Sequence, residues 1–166
     1  MTTNANALSM HWKDAPIDGC LITPLKKFAD ARGWLTEFFR QDELPSALHP
    51  VMGYLSMTHP GVARGPHEHR DQSDLFVFFN GAFRLYLWDT RREAPTFGHR
   101  QVMDLGEANP TVAIVPPGVV HAYRNVGEHD ALIINCPNQL YAGEGKQEPL
   151  DEIRHEDRAE SMFVME

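Results

Sequence analysis

Three histidines and one aspartate have the types and spacing of a ligand set for a divalent transition metal. In RGPHEHRDQSD, one residue separates His67 from His69, and Asp74 follows shortly after. Side chains at positions i and i+2 of a strand point to the same face, so an extended GPHEH places both imidazoles side by side. A turn and a second strand can bring Asp74 to the same point. Two imidazoles and a carboxylate suit Zn, Fe, Mn, Ni or Co, and the ligand types do not choose among them.

His121 is a fourth candidate ligand of the same metal. It follows a Pro-Gly turn in PPGVVHAYRN, on a predicted strand. With it, the predicted set consists of four nitrogen and oxygen donors. The remaining histidines lack such a context, and we expect them on the surface: His11, His49, His59, His99, His129 and His155.

Short apolar runs separated by turn residues predict that these side chains are positioned by strands. DLFVFF (residues 74–79) and AFRLYLWD (residues 82–89) are two such runs, and Asn80-Gly81 between them is a hairpin signal. DLFVFF is apolar on both faces after its first residue, which indicates a strand between two layers. The one candidate helix in the first half is DELPSAL, residues 42–48. The pattern is typical of an all-β sandwich or barrel.

Length and composition predict one globular domain. The chain has 166 residues, of which 42% are hydrophobic and 23% charged. We expect a single domain over residues 1–166, with a loose leader at 1–19 and a polar tail at 142–166. Within the tail, LDEIRHEDRAE is a candidate short helix.

Charge and hydropathy exclude two classes of partner. The net charge is −8 and no run is rich in Lys or Arg, which argues against nucleic acid but not against a small anionic ligand. No stretch approaches about 18 apolar residues, so no membrane-spanning helix is expected. Cys20 and Cys136 are predicted to be small core residues, and two unpaired cysteines fit the reducing cytoplasm.

The two histidine segments resemble the two sequence motifs of the cupin family. This resemblance implies a double-stranded β-helix, the cupin jelly roll, with short peripheral helices. Asp74 stands where the first motif usually has Glu. The first motif is matched by Gly61, His67, His69, Asp74 and Gly81, and the second by Pro116, Gly118, His121 and Asn125.

Most of the chain, residues 24–141, is similar to the dTDP-4-dehydrorhamnose 3,5-epimerases. The stretches PLKKFADARGWLTEFFRQDEL, ARGPHEH, WDTRREAPTFGH and VPPGVVHAY carry the resemblance. It implies a homodimer that acts on a nucleotide-activated keto sugar of the dTDP-4-keto-6-deoxyhexose type. The resemblance makes His67 the base that removes a proton beside the keto group, and makes Tyr141 a second catalytic candidate. Its implied substrate contacts are Arg64 and Arg32 at the diphosphate, with Tyr123 and Gln72.

Two chemical roles of that family fall on other residue types here. Asp74 stands where the family has a lysine that stabilises the enolate, and Ile134 is the nearest match to the family's tyrosine acid. A divalent cation can stabilise an enolate in place of a lysine, so we expect a metal-assisted epimerase or isomerase. Two alternatives stay open. One is a metal-dependent cupin enzyme of another class, such as a dioxygenase or an isomerase of small oxo-acids. The other is a non-catalytic sugar-binding cupin.

Overall fold

Residues 10–158 and 160–166 are described by a computed structural model of the chain. Within them nearly all of the regular secondary structure is β-strand, which confirms the predicted fold class. The strands are β1 (Lys13–Asp14), β2 (Leu21–Pro24), β3 (Phe28–Asp30), β4 (Gly33–Leu35), β5 (Tyr54–Thr58), β6 (Ala63–Glu68), β7 (Asp74–Phe78), β8 (Ala82–Asp89), β9 (His99–Gly106), β10 (Thr111–Val115), β11 (Val119–Asn125), β12 (Ala131–Asn135) and β13 (Ile153–Arg154).

Two sheets pack face to face as a jelly roll. The six-stranded sheet has the order β1-β9-β8-β11-β6-β13, and the five-stranded sheet has the order β2-β10-β7-β12-β5. Strands β3 and β4 form a separate hairpin. Buried side chains of both sheets fill the space between them, among them Phe76, Phe78, Phe83, Leu85 and Ile133.

The Asn80-Gly81 turn does not form the predicted hairpin. Strand β7 pairs with β10 and β12 in one sheet, whereas β8 pairs with β9 and β11 in the other. The turn therefore carries the chain across the core. Phe78 and Phe83, on either side of it, are fully buried with ring centroids 5.6 Å apart, so the two strands bury apolar surface against each other instead of pairing.

The candidate helix at residues 42–48 is reduced to a 3-10 turn at Ser46–Leu48. Pro45 precedes it with ψ of 139°, an extended conformation that interrupts helical geometry. A second 3-10 turn lies at Glu144–Lys146, and both are peripheral. None of the described residues forms a helix long and apolar enough to cross a membrane.

Parts of both chain ends belong to the six-stranded sheet. Residues 1–9 of the predicted leader lie outside the described residues, but β1 pairs in parallel with β9, and Ile17 packs in the core. The leader is therefore not loose over residues 10–19. In the tail, β13 pairs with β6 where a short helix was a candidate, and Phe163 packs against Trp88. That residues 1–166 form one domain stays a prediction.

One histidine predicted to be on the surface is buried. His155 is 6% exposed, its Nε2 lies 2.8 Å from Glu68 Oε1, and its ring packs on Phe163. Its carboxylate partner is 87 residues away in the chain, so sequence context could not show the burial. Cys136 is buried and Cys20 half-buried, and neither forms a disulfide with a described residue.

Candidate functional site

The four predicted metal ligands converge between the two sheets. His67 lies in β6, His69 follows the end of that strand, Asp74 begins β7, and His121 lies in β11 directly opposite His67. Each side chain offers one ligand atom, and these atoms lie within 4.8 Å of one another. The structure therefore brings together residues that the sequence separates.

His69 and His121 turn the same ring nitrogen towards Asp74. The Nε2 atoms of His69 and His121 lie 3.0 and 3.3 Å from Asp74 Oδ2. Their Nδ1 atoms face the backbone carbonyls of Asp151 and Val119. A carbonyl only accepts hydrogen bonds, so each Nδ1 carries a proton and each neutral ring keeps a lone pair on Nε2. A cation between these lone pairs and the carboxylate, either a proton or a metal ion, relieves their repulsion.

Asp74 is buried yet charged. Burial opposes its ionisation, but the His121 and His69 rings outweigh burial and hold its pKa well below the usual range. The pKa of His69 is raised, because the hydrogen bond and charge of Asp74 outweigh the effect of burial. Gln72 and Asn135 each donate a hydrogen bond of 2.9 Å to Asp74 Oδ1. The carboxylate is thus held negative and in one orientation, as a cation ligand requires.

His67 is a neutral imidazole in this cluster. Burial, together with the neighbouring His121 and His69 rings, lowers its pKa to about 2. Its Nδ1 lies 3.8 Å from Glu152 Oε1, beyond hydrogen-bond range, and has no hydrogen-bond partner among the described residues. A neutral imidazole with an unpaired nitrogen can accept a proton from a substrate or bind a metal ion.

A pocket of about 460 Å³ has His67 and His69 in its lining. This volume lies in the range of small-molecule sites. Its walls come from β5, β6, β7, β11 and the chain that follows β12. Among the side chains that line it are Tyr54, Ser56, Arg64, Gln72, Phe76, Tyr123, Gln139, Tyr141, Glu148, Glu152 and Arg154.

The structure places the two candidate phosphate-binding arginines differently. Arg64 lines the pocket, and its guanidinium donates to Met57 O at 2.8 Å and to Thr58 Oγ1 at 3.2 Å. Arg32 lies in the exposed turn between β3 and β4, where it pairs with Asp30, and it does not line the pocket. Of these two candidates, only Arg64 is brought to the site by this fold.

The two candidate substrate tyrosines both line the pocket but differ in exposure. Tyr123 is 4% exposed and its hydroxyl donates to Ser56 Oγ at 3.3 Å. Tyr141 is 58% exposed. Gln72, the other predicted contact, reaches both Asp74 and the Nε2 of His69, at 3.3 Å from the latter.

Asp151, which sequence analysis missed, ties the C-terminal segment to the site. Its carboxylate accepts hydrogen bonds from the backbone N–H groups of Arg70, Asp71 and Gln72, at 2.9, 2.9 and 2.8 Å. Its own carbonyl accepts from His69 Nδ1. These partners are about 80 residues distant, so no local pattern could have revealed them.

Tyr54 and Asn135 were also missed. Asn135 Nδ2 donates to Asp74 Oδ1 at 2.9 Å and to Tyr54 Oη at 2.8 Å, so Tyr54 joins the hydrogen-bond network of the cluster. Alternation along β5 places Tyr54 on the same face as the buried Ser56 and Thr58, and this was the only available signal.

Comparison with known proteins establishes the family. The family model described as dTDP-4-dehydrorhamnose 3,5-epimerase matches residues 14–159. The chain belongs to this family. The predicted epimerase resemblance and the isomerase class are thereby confirmed.

Two relatives of this epimerase family member are named for glycan and polysaccharide biosynthesis. The probable low-salt glycan biosynthesis epimerase Agl13 of Haloferax volcanii is 37% identical over 128 residues, which are 76% of this chain and 82% of Agl13. The spore coat polysaccharide biosynthesis protein SpsL of Bacillus subtilis is 37% identical over 125 residues, 75% of this chain and 82% of SpsL.

A solved relative has the same fold. The crystal structure of a dTDP sugar isomerase from Desulfovibrio desulfuricans superposes with a TM-score of 0.74 at 21% sequence identity. The match covers 90% of this chain and 91% of the other. It supports the jelly roll described above.

Proposed function

We propose that this epimerase acts on a nucleotide-activated keto sugar of the dTDP-4-keto-6-deoxyhexose type, in the synthesis of a surface polysaccharide or glycan. The family and the two polysaccharide-related proteins support this substrate class. The observation that carries the proposal is the neutral His67, whose unpaired Nδ1 belongs to a side chain in the pocket lining. An imidazole in the pocket lining is the type of side chain that most often takes a proton in general base catalysis.

The pocket residues have distinct roles in this proposal. His67 takes the proton from the carbon next to the keto group, and the electron pair moves to the keto oxygen. Glu152, 3.8 Å from His67 Nδ1, stabilises the imidazolium that forms. Arg64 has two N–H groups bonded to Met57 and Thr58, which orients its guanidinium and leaves other N–H groups for phosphate oxygens.

We infer that His69, Asp74 and His121 hold a divalent cation, with His67 as a fourth ligand in the resting protein. The fit rests on two Nε2 lone pairs directed at a buried carboxylate. When bound, a cation of the Zn, Fe, Mn, Ni or Co type stabilises negative charge on an oxygen as a Lewis acid. One lone pair cannot bind a metal and accept a proton together. Two imidazoles and a carboxylate therefore remain as ligands while His67 acts as base.

Solvent exchange tests the epimerase proposal. Incubation of a dTDP-4-keto-6-deoxy sugar with the protein in D2O should introduce deuterium beside the keto group, as read by NMR. His67→Gln should slow this exchange by about 10²–10⁴-fold, the usual contribution of a general base. The exposed His59 provides the control His59→Gln, which should exchange at the wild-type rate. Absence of exchange in the wild-type protein with every nucleotide keto sugar offered would refute the proposal.

Elemental analysis tests the cation separately. Purified wild-type protein should contain about one transition metal ion per chain. His67→Gln should retain it on three ligands, whereas His121→Ala should lose it. Full exchange activity in metal-free protein would reject the metal's role and leave the epimerase proposal standing. Iron together with oxygen consumption would instead favour the alternative dioxygenase.

We also propose a homodimer, as the family resemblance implies. The β3–β4 hairpin exposes Phe28, Trp34 and Leu35, which are 46%, 50% and 62% exposed. Apolar side chains clustered in this way mark association surfaces. Light scattering after size exclusion should give twice the chain mass, and Trp34→Glu should halve it, unlike Val126→Glu on another exposed loop. A monomeric wild-type protein would be incompatible with the dimer.

A cytoplasmic location is likewise proposed. It is supported by Cys20 and Cys136, which form no disulfide with any described residue. Fractionation of producing cells should recover the protein with the cytoplasmic fraction, and its appearance in the culture medium would contradict the proposal.

A further inference from the structure

Inversion of a carbon centre needs a proton donor on the face opposite to the base. His67 is contributed by β6 of the six-stranded sheet. Ile134, which stands where the resemblance places a tyrosine acid, has no proton to give. A side-chain donor must therefore come from another position on the pocket wall.

We propose that Tyr54 is the proton donor that completes epimerisation. The proposal rests on the epimerase function proposed above and adds a catalytic residue to it. Two independent observations carry it: the place of Tyr54 in the fold, and the direction of its hydrogen bond with Asn135.

Tyr54 and His67 line one pocket from different sheets. Tyr54 begins β5 in the five-stranded sheet, and His67 lies in β6 of the six-stranded sheet. Tyr54 shares the inward face of β5 with Ser56, which also lines the pocket and accepts the Tyr123 hydroxyl bond. A sugar ring between the two sheets would present one face to each side chain.

The hydrogen bond with Asn135 leaves the phenol proton free. The Asp74 carboxylate can only accept, so the Asn135 atom 2.9 Å from it must be the amide nitrogen. The same nitrogen lies 2.8 Å from Tyr54 Oη and donates its second N–H to it. Tyr54 is therefore the acceptor in this bond. Among the described residues its own O–H has no other hydrogen-bond partner, so the proton is available to a substrate.

The other pocket tyrosines are less suited to the role. The Tyr123 hydroxyl already donates to Ser56 Oγ. Tyr141 and Tyr54 are both partly exposed, at 58% and 46%, but no side-chain hydrogen bond orients the Tyr141 phenol within the described part of the chain. Burial raises the pKa of Tyr54 to about 12, so its phenol also keeps its proton until a strongly basic carbon is present.

The chemistry balances without another reactant. His67 accepts the proton as the C–H bond breaks. The electron pair of that bond forms the C=C bond of the enolate, and the C=O electrons move onto the keto oxygen. Tyr54 then gives its proton to the same carbon from the opposite face, while the enolate electrons form the new C–H bond and the C=O bond is restored. The Tyr54 phenolate takes a proton from water, and His67 returns its proton to water.

Tyr54→Phe tests the proposal, because proton removal and inversion are measured separately. Deuterium incorporation from D2O should continue within about tenfold of wild type, with configuration retained, because His67 is intact. Formation of the inverted sugar should fall by about 10²–10⁴-fold. Tyr86→Phe is the matched control, since Tyr86 is outside the pocket lining and bonds to Glu166 O. It should invert at the wild-type rate.

Two results would overturn the assignment. One is inversion by Tyr54→Phe at the wild-type rate. The other is that Tyr141→Phe loses inversion whereas Tyr54→Phe still forms the inverted sugar. A thermal melt of Tyr54→Phe within a few degrees of wild type shows that the variant is folded. Failure of the epimerase proposal is distinct, because wild-type protein would then incorporate no deuterium at all.

Discussion

Replacing Asp151 with alanine should destabilise the protein and loosen the histidine cluster together. The substitution removes one carboxylate and leaves the backbone N–H groups of Arg70, Asp71 and Gln72 without that acceptor. A net hydrogen bond is worth about 0.5–1.5 kcal/mol, and one to a charged group about 1.5–3 kcal/mol. Arg70 and Asp71 are exposed and Gln72 is half-buried, so water replaces part of the loss. We expect the free energy of unfolding to fall by about 2–3 kcal/mol.

Residues 70–72 connect His69 to Asp74, so the substitution should also weaken metal binding. The Asp151 carbonyl accepts a hydrogen bond from His69 Nδ1. Once residues 70–72 are released from residue 151, both the His69 ring and this carbonyl lose positional restraint. Loss of a group that orients a metal ligand usually costs about 10–100-fold in affinity. Urea denaturation measures the first effect and competition with a chelating dye the second. A melting temperature lower by about 5–10 °C should accompany the destabilisation.

A control variant and the pH dependence both test whether the Asp151 carboxylate causes the loss of stability. Glu144→Ala removes an exposed carboxylate from the same segment and should change stability by less than about 0.5 kcal/mol. Burial raises the pKa of Asp151, but the three backbone hydrogen bonds outweigh it and lower the pKa. Its contribution is therefore complete above the unfolded pKa of about 4 and is lost as pH falls through the lower folded pKa. Asp151→Ala should differ from wild type at pH 7, and the difference should shrink steadily as pH falls below about 4. Equal stability at pH 7 would refute this reasoning.

Three further predictions concern the core, the backbone and the cysteines. Phe78→Ala should lower the free energy of unfolding by about 3–5 kcal/mol in urea, because Phe78 is 0% exposed between the sheets. Leu55→Ala, at a leucine that is 66% exposed, should change it by less than about 1 kcal/mol, and equal losses would contradict this view of the core. Gly65→Ala should reduce both stability and metal content, since φ is +80° and a Cβ would lie 2.5 Å from His121 O. A stable, metal-replete Gly65→Ala protein would show that β6 and β11 can separate at little cost. Burial raises the pKa of Cys20 to about 12, so Ellman's reagent at pH 8 should label it far more slowly in native than in urea-unfolded protein. Equal labelling rates would show that the thiol is accessible.

The convergence of the four candidate ligands was predictable because its information is partly local. Strand alternation predicted that His67 and His69 lie side by side. The resemblance to two short motifs predicted that Asp74 and His121 lie near them. The supporting residues were not predictable in this way. Asp151, Asn135 and Tyr54 reach the site through contacts between residues about 60–80 positions apart, which no spacing rule describes.

The Asn80-Gly81 turn shows the same limit in the fold. Its residue types were correctly associated with a tight turn between two strands, and Gly81 has φ of +62°. Whether those strands pair or enter different sheets depends on where Phe78 and Phe83 are buried. That choice is made by packing across the core and is absent from the turn sequence.

The sequence by itself determined the all-β class, the family resemblance and the four candidate ligands, because strand period, turn chemistry and motif spacing act over short distances. Tertiary structure decided which polar side chains surround those ligands. It excluded Arg32 from the pocket lining, brought Tyr54 and Glu152 to it, and placed the proposed base and the proposed acid on separate sheets. The physical reason is that a jelly roll pairs strands far apart in the chain, so the neighbours of a buried group are set by sheet order and core packing.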